Sequence, residues 1–323
     1  MKYIDVFNGD ADGIFSLIQW RKAFPVVESQ IISGVKRDNA LIQHINLEQA
    51  AGAIVTALDL SFDKNTEALR SILPSVESVF YCDHHQAKTL FEHPRLTTVI
   101  DFSPAVCTGL LVSDYLNQQH HAWAIAAAFG DSLNSVAYAE CSKLSFSGKR
   151  AEQLRELGVL VNYNGYGADL TDLHFEPQGL YQALSAYDSP FDIVADSTSP
   201  FAALRDGYAE DMQKARNAVV VAENRSVKAL LLDDAAWARR ISGTLGNDLA
   251  HANPDKAIVI ATPNADGCTL TISLRAPKSN LQGAGDICSG FATGGGRAGA
   301  AGVNALPMEQ LDLFINAVTL AYS

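Results

Sequence analysis

The strongest constraint on the fold is an alternation of two periodicities along the first 140 residues. Short apolar runs, each long enough for one strand, are followed by stretches with helical spacing. "YIDVF" (3–7) reads as a strand and "GIFSLIQWRKAF" (13–24) as a helix. "SQIISGV" and "NALIQHIN" repeat the pair. "GAIVTALDLS" (52–61) reads as a buried strand, and "NTEALRSIL" as a helix with Asn65 at its N-cap. "SVESVFYC" and "LTTVIDF" follow as strands, "TGLLVSDYLNQQ" and "HAWAIAAAFG" as helices. Continuous apolar strands alternating with helices predict an α/β fold with a parallel sheet covered on both faces. Ligands of such sheets bind beyond the carboxyl ends of the strands.

Acids fall at that end. Asp10 and Asp12 follow the first strand, Asp59 ends "AIVTAL", and Asp83 ends "VFYC". Asp131 follows the apolar helix "AWAIAAAFG". One such Asp is ordinary turn chemistry; three strands in succession, with His84 and His85 adjoining Asp83, point to a bound cation. Two close carboxylates repel each other, and a cation removes that cost. Asp and His donors suit divalent metals of the Mn²⁺ type. The acids suffice for two such ions, and paired ions at about 3.5–4 Å support in-line displacement at phosphorus. Adjacent loop residues do not point at one metal without strain, so His84 is assigned to a metal and His85 to a phosphate or leaving oxygen.

The 323-residue length suggests two domains, and "DSTSPF" (196–201) marks a boundary. The expected division is a metal-binding domain over 1–195, a connector over 196–225 and a smaller α/β domain over 226–323. Residues 201–225 read as one long amphipathic helix. The net charge of −12 disfavours a long duplex nucleic acid, which requires a basic footprint. No apolar run is long enough for a membrane span, and no secretory signal opens the chain. Five widely spaced cysteines form no C-x-x-C pair. A reduced, cytoplasmic setting is expected.

The second informative stretch is "FATGGGRAGAAGVNAL" (291–306). Gly294, Gly295 and Gly296 allow backbone amides to approach an anion. Arg297 can contact a phosphate or a guanine edge with its planar fork. Arg275 ends the strand "TLTISLR", with Lys278 close behind.

In combination, "NGDADG", "LDLS", "DHH" and the "GD" of "AAFGDS" occur in the order of the DHH phosphoesterase superfamily. "SLRAP" followed by "GGGRAGAAG" resembles its partner domain, DHHA1. The resemblance covers nearly the whole chain. It implies a phosphodiesterase with two divalent ions, usually Mn²⁺ with Mg²⁺ as the alternative, and a cleft between its two domains. By position, Asp10, Asp12, Asp59, Asp83, His84 and Asp131 would hold metal, with Asp83 and His85 serving catalysis. Arg275, Gly294, Gly295, Gly296 and Arg297 would hold the nucleotide, and Thr108 of "CTG" would line the cleft.

Two positions depart from the family pattern. Many members carry a metal-binding His at or near Asn8, and the loop often ends in His where this chain has Arg297. The expected substrate is a short linear nucleotide, such as the dinucleotides pGpG and pApA or a very short oligoribonucleotide. The alternatives are pAp phosphatase or cyclic-dinucleotide phosphodiesterase activity, and a nucleotide sensor with a weakened metal site. No membrane partner is expected, and a homodimer is compatible with the sequence.

Overall fold

The computed structural model describes residues 1–323, which divide into two compact units, Met1–Asp206 and Gly207–Ser323. In the first, five strands are laid down in chain order: β1 (Lys2–Asn8), β2 (Gln30–Gly34), β3 (Ala53–Leu58), β4 (Ser78–Asp83) and β5 (Leu96–Ile100). They pair in the order β2-β1-β3-β4-β5, and every pairing is parallel. The order reverses between β1 and β3, the position at which crossovers leave a crevice beyond the strand ends. The unbroken apolar runs read in the sequence are explained by burial on both faces: Val6, Phe7, Val55, Ala57 and Leu58 are fully enclosed.

The helices of this unit are α1 (Ala11–Ala23), α2 (Leu47–Ala50), α3 (Phe62–Ile72), α4 (Thr108–Tyr115), α5 (His121–Gly130), α6 (Asn134–Lys143), α7 (Gly148–Gly165), α8 (Pro177–Ser185) and α9 (Pro190–Ala195), with α10 (Pro200–Ala215) crossing into the second unit. "NALIQHIN" forms only a 3₁₀ turn over Leu41–His44 before α2. Helix α5 is buried all round, as its alanine-rich sequence allows. It ends at Gly130, where a Cβ would lie 2.5 Å from Ala11 Cβ. That close approach of α5 to the start of α1 fixes where Asp131 emerges.

Two further sequence expectations are corrected. Asn65 is not an N-cap: α3 begins at Phe62 after Ser61, and Asn65 lies inside it. Its buried side chain accepts from the Ile42 amide and donates to the Asn39 and Ser61 carbonyls, tying α3 to the loop after β2. The helix expected over 201–225 stops at Ala215, and Val219–Glu223 is strand β6. Three consecutive valines lose rotamer freedom in a helix and fit a pleated edge instead.

The second unit carries β6, β7 (Val227–Leu231), β8 (Ala257–Pro263), β9 (Thr269–Arg275), β10 (Gly294–Gly296) and β11 (Ala300–Pro307), with α11 (Ala236–Ala252), α12 (Ala284–Ser289) and α13 (Leu311–Ala321). Its sheet order is β10-β11-β9-β8-β7-β6, and only β7 and β8 run parallel. No helix of the chain is long and apolar enough to cross a membrane.

Candidate metal centre

The carboxyl ends of β1, β3 and β4 lie side by side and deliver the acids to one place. Asp10 caps α1, its Oδ1 accepting the amides of Asp12 and Gly13 at 2.9 and 3.1 Å. Asp12 lies in the first turn of α1. Its carboxylate is gripped from the far side of the chain by the start of α4: the Thr108 amide donates to Oδ2 at 2.8 Å and the Gly109 amide to Oδ1 at 2.7 Å. Asp59 follows β3 with φ of 58°, a left-handed conformation that costs a non-glycine residue about 1–3 kcal/mol and collects at functional sites. The Thr108 hydroxyl donates to Asp59 Oδ1 at 3.1 Å.

Three of these carboxylates converge on one imidazole. His84 Nε2 lies 3.8 Å from Asp12 Oδ2, 3.6 Å from Asp59 Oδ1 and 3.7 Å from Asp131 Oδ2. Asp12, Asp59 and His84 are buried. His85 sits beside them, with Nδ1 3.8 Å from Asp59 Oδ1 and 2.7 Å from Asp83 Oδ1. Asp83 itself is fully enclosed, so its contact with His85 orients that ring from behind.

Two of these carboxyls, Asp59 and Asp12, resist ionisation. Burial, then the charges of Asp12, Asp10, Asp83 and Asp131, push Asp59 well above the usual carboxylate range. Burial also raises Asp12; His84 offsets part of this, while Asp131 and Asp10 add to it. Asp10 goes the other way, because Lys36 and the Gly13 amide outweigh its burial.

The donors fit a divalent ion. Asp131 Oδ2, 3.7 Å from His84 Nε2, is buried without a hydrogen-bond partner, a costly state for a carboxylate that a cation relieves. Donor atoms of Asp59, His84 and His85 lie within 4.8 Å of one another. A divalent ion held there would take oxygens of Asp12, Asp59 and Asp131 and the Nε2 of His84 as donors.

Sequence reasoning missed Lys36. Its ammonium is hydrogen-bonded to Asp10 Oδ2, lies 2.9 Å from Asn162 Oδ1 and 3.8 Å from Asp131 Oδ1. Burial favours the neutral amine, but Asp10, Tyr166 and Asp131 outweigh it and hold the amine protonated. The available signal was positional: Lys36 follows β2, the remaining strand that ends beside β1.

Arg275, Gly294, Gly295, Gly296 and Arg297, expected to hold the nucleotide, lie in the second unit. Arg275 Nε donates to Asn247, NH1 to Ser273 Oγ and the Leu274 carbonyl, and NH2 to the Gly243 carbonyl. Its guanidinium is therefore engaged in joining β9 to α11. A Cβ at Gly294 would lie 1.8 Å from the Cys288 carbonyl oxygen, and one at Gly296, where φ is 145°, 2.4 Å from Ala301 Cα. Those two glycines answer to packing, whereas Gly295 faces open space. Arg297 is exposed at the end of the hairpin.

No family model matches the chain, and no curated protein does. Solved structures match over its whole length. The DHH domain of a member of a family of ribosomal proteins superposes with a TM-score of 0.68 at 11% identity, covering 99% of this chain and 86% of that one. RecJ from Thermus thermophilus, in complex with Mn²⁺, gives 0.63 at 14% identity, covering 99% of this chain and 52% of RecJ. A pGpG-specific phosphodiesterase from Vibrio cholerae gives 0.55 at 14% identity, with both chains covered completely. The chain has the fold of the DHH-domain proteins. It is similar to the metal-bound RecJ over about half of that protein's length and to a dinucleotide phosphodiesterase over all of it.

Proposed function

We propose that this chain is a divalent-metal-dependent phosphodiesterase that hydrolyses short linear nucleotides, pGpG and pApA among them, to mononucleotides. The observation that carries the reading is the convergence of Asp12, Asp59 and Asp131 on His84 Nε2 within 3.6–3.8 Å. A divalent ion bound there supplies Lewis acidity toward a phosphoryl oxygen and makes water a stronger acid. Mn²⁺ and Mg²⁺ both suit the donors, and RecJ structures are described in complex with each. Thr108 supports the site from α4, holding Asp12 through its amide and Asp59 through its hydroxyl. His85, oriented by Asp83 and half-buried, handles the proton of the leaving oxygen. Arg297 supplies a charged donor fork for a base edge or terminal phosphate. The acidic chain favours a small substrate over a long polymer, and the phosphodiesterase that matches end to end is named for a dinucleotide.

The test is a substrate panel with Mn²⁺: pGpG, pApA, a cyclic dinucleotide, pAp and a longer RNA. Turnover of the linear dinucleotides ahead of the others is expected. Preferential cleavage of pAp or of the cyclic dinucleotide would replace this substrate class. Tight nucleotide binding without turnover of any member would make the protein a sensor.

A further inference from the structure

The Asp10 corner of the site is already occupied by a cation of the protein's own. We infer that Lys36 permanently takes one of the two cation positions, so that the centre binds a single divalent ion at Asp12, Asp59, His84 and Asp131. This rests on the metal-dependent reading above and concerns the number of ions that reading requires.

Four observations carry it. Both oxygens of Asp10 are committed: Oδ1 accepts two amides as the cap of α1, and Oδ2 accepts the Lys36 ammonium. An ammonium in contact with that oxygen repels a second divalent cation there. The ammonium is held in place by more than Asp10, because Asn162 Oδ1 accepts from it at 2.9 Å. The backbone of Lys36 is anchored too: its amide donates to the Gly165 carbonyl at 2.9 Å, and its carbonyl accepts from Asn8 Nδ2 at 2.9 Å. The lysine is therefore a fixed part of the centre rather than a surface side chain folded inward.

Asn8 fits the same arrangement. The family resemblance leads one to expect a metal-binding imidazole at or near this position. The chain instead supplies a neutral amide whose Nδ2 is used to hold the Lys36 carbonyl. Its Oδ1 is a neutral amide oxygen, a weaker donor to a cation than an imidazole or a carboxylate. On the His84 side nothing comparable intervenes: Asp131 Oδ2 has no hydrogen-bond partner and faces the imidazole. Lys36 Nζ lies 3.8 Å from Asp131 Oδ1, so the fixed charge borders the remaining cup.

The measurement is the number of Mn²⁺ ions bound per chain. Metal-free protein is dialysed to equilibrium against Mn²⁺, bound metal is quantified by mass spectrometry, and EPR distinguishes isolated from spin-coupled ions. Wild type and Lys36→Arg are expected to bind one ion each, with the spectrum of isolated Mn²⁺. The double substitution Asn8→His, Lys36→Met restores a ligand and removes the built-in charge, and is expected to bind two, with spin coupling. Thermal melting in EDTA establishes that each variant is folded. Two ions in the wild type would overturn the inference without any variant, and one ion in the folded double variant would overturn the role given to Lys36. These readouts need no substrate. If one ion binds but no nucleotide is cleaved, the functional reading fails and the inference stands.

Discussion

Gly109 donates its backbone N–H to Asp12 Oδ1 at 2.7 Å, joining two residues 97 positions apart in sequence. The contact explains why a glycine is needed at the start of α4. A Cβ there would lie 2.6 Å from Ala127 Cβ and 3.1 Å from Asp12 Oδ1. Gly109→Ala therefore drives α4 away from α5 and disturbs the carboxylate it holds. Overpacking of this kind costs about 1–3 kcal/mol, and loss of an outer hydrogen bond to a metal ligand costs about 10–100-fold in affinity. We expect a lower melting temperature together with at least a tenfold weaker Mn²⁺ affinity by calorimetry. A variant as stable as wild type with unchanged affinity would show that the amide grip on Asp12 is dispensable.

The two adjacent histidines are expected to fail differently. His84 faces three carboxylates through Nε2, whereas the Nδ1 of His85 is 2.7 Å from Asp83. His84→Ala should abolish tight Mn²⁺ binding and activity together. His85→Ala should retain the metal and lose about 10²–10⁴-fold in kcat, the usual contribution of a positioned proton carrier. Equal loss of metal from both variants would make His85 a ligand as well.

Strand ends and acid positions were readable because parallel strands buried on both faces are continuous apolar runs, and an Asp terminating such a run stands out. The order of "DAD", "LDLS" and "DHH" thus located the acids that meet at His84. Lys36 was not readable, because "GVKRDN" looks like any polar loop; its role appears only when β2 is paired beside β1 and the side chain reaches Asp10. Asn65 is a residue type favoured at caps, but its side chain is used in a tertiary contact with Asn39 and Ile42. The helical apolar spacing continues through the valines of β6, and sheet pairing with β7 overrides it.

Protons and metal should compete at Asp59. Burial and four neighbouring carboxylates raise it well above its ordinary 3.8 in the metal-free protein, whereas a metal ligand must be ionised. Below the raised value each Mn²⁺ displaces a proton, so affinity should climb with pH and level off once that value is passed. The same shift acts on folding. The metal-free fold binds this proton more tightly than the unfolded chain does, so the associated stability is present at low pH and lost as pH rises through the raised value. Melting temperatures with and without Mn²⁺ should therefore diverge as pH increases from the ordinary 3.8 of this carboxyl toward its raised value. Affinity independent of pH across that interval would mean that Asp59 is ionised before the metal arrives.

Arg275 and Arg297 were both expected to hold substrate, and the structure separates them. The Arg275 guanidinium donates to Asn247, Ser273 and the carbonyls of Gly243 and Leu274. Removing it strands acceptors between β9 and α11, and Arg275→Ala should cost about 1–3 kcal/mol in denaturant unfolding. Arg297 is exposed at the hairpin end. Arg297→Ala should leave unfolding within about 0.5 kcal/mol of wild type. If it contacts the nucleotide, its loss should instead raise KM for the preferred dinucleotide, with little change in kcat, as expected when binding is removed equally from ground and transition states. Comparison of pGpG with pApA then tells a base contact from a phosphate contact. A base contact penalises one of them, and a phosphate contact penalises both alike. Unchanged KM for both would remove Arg297 from the site, leaving the open backbone at Gly295 as the part of the hairpin still available to an anion.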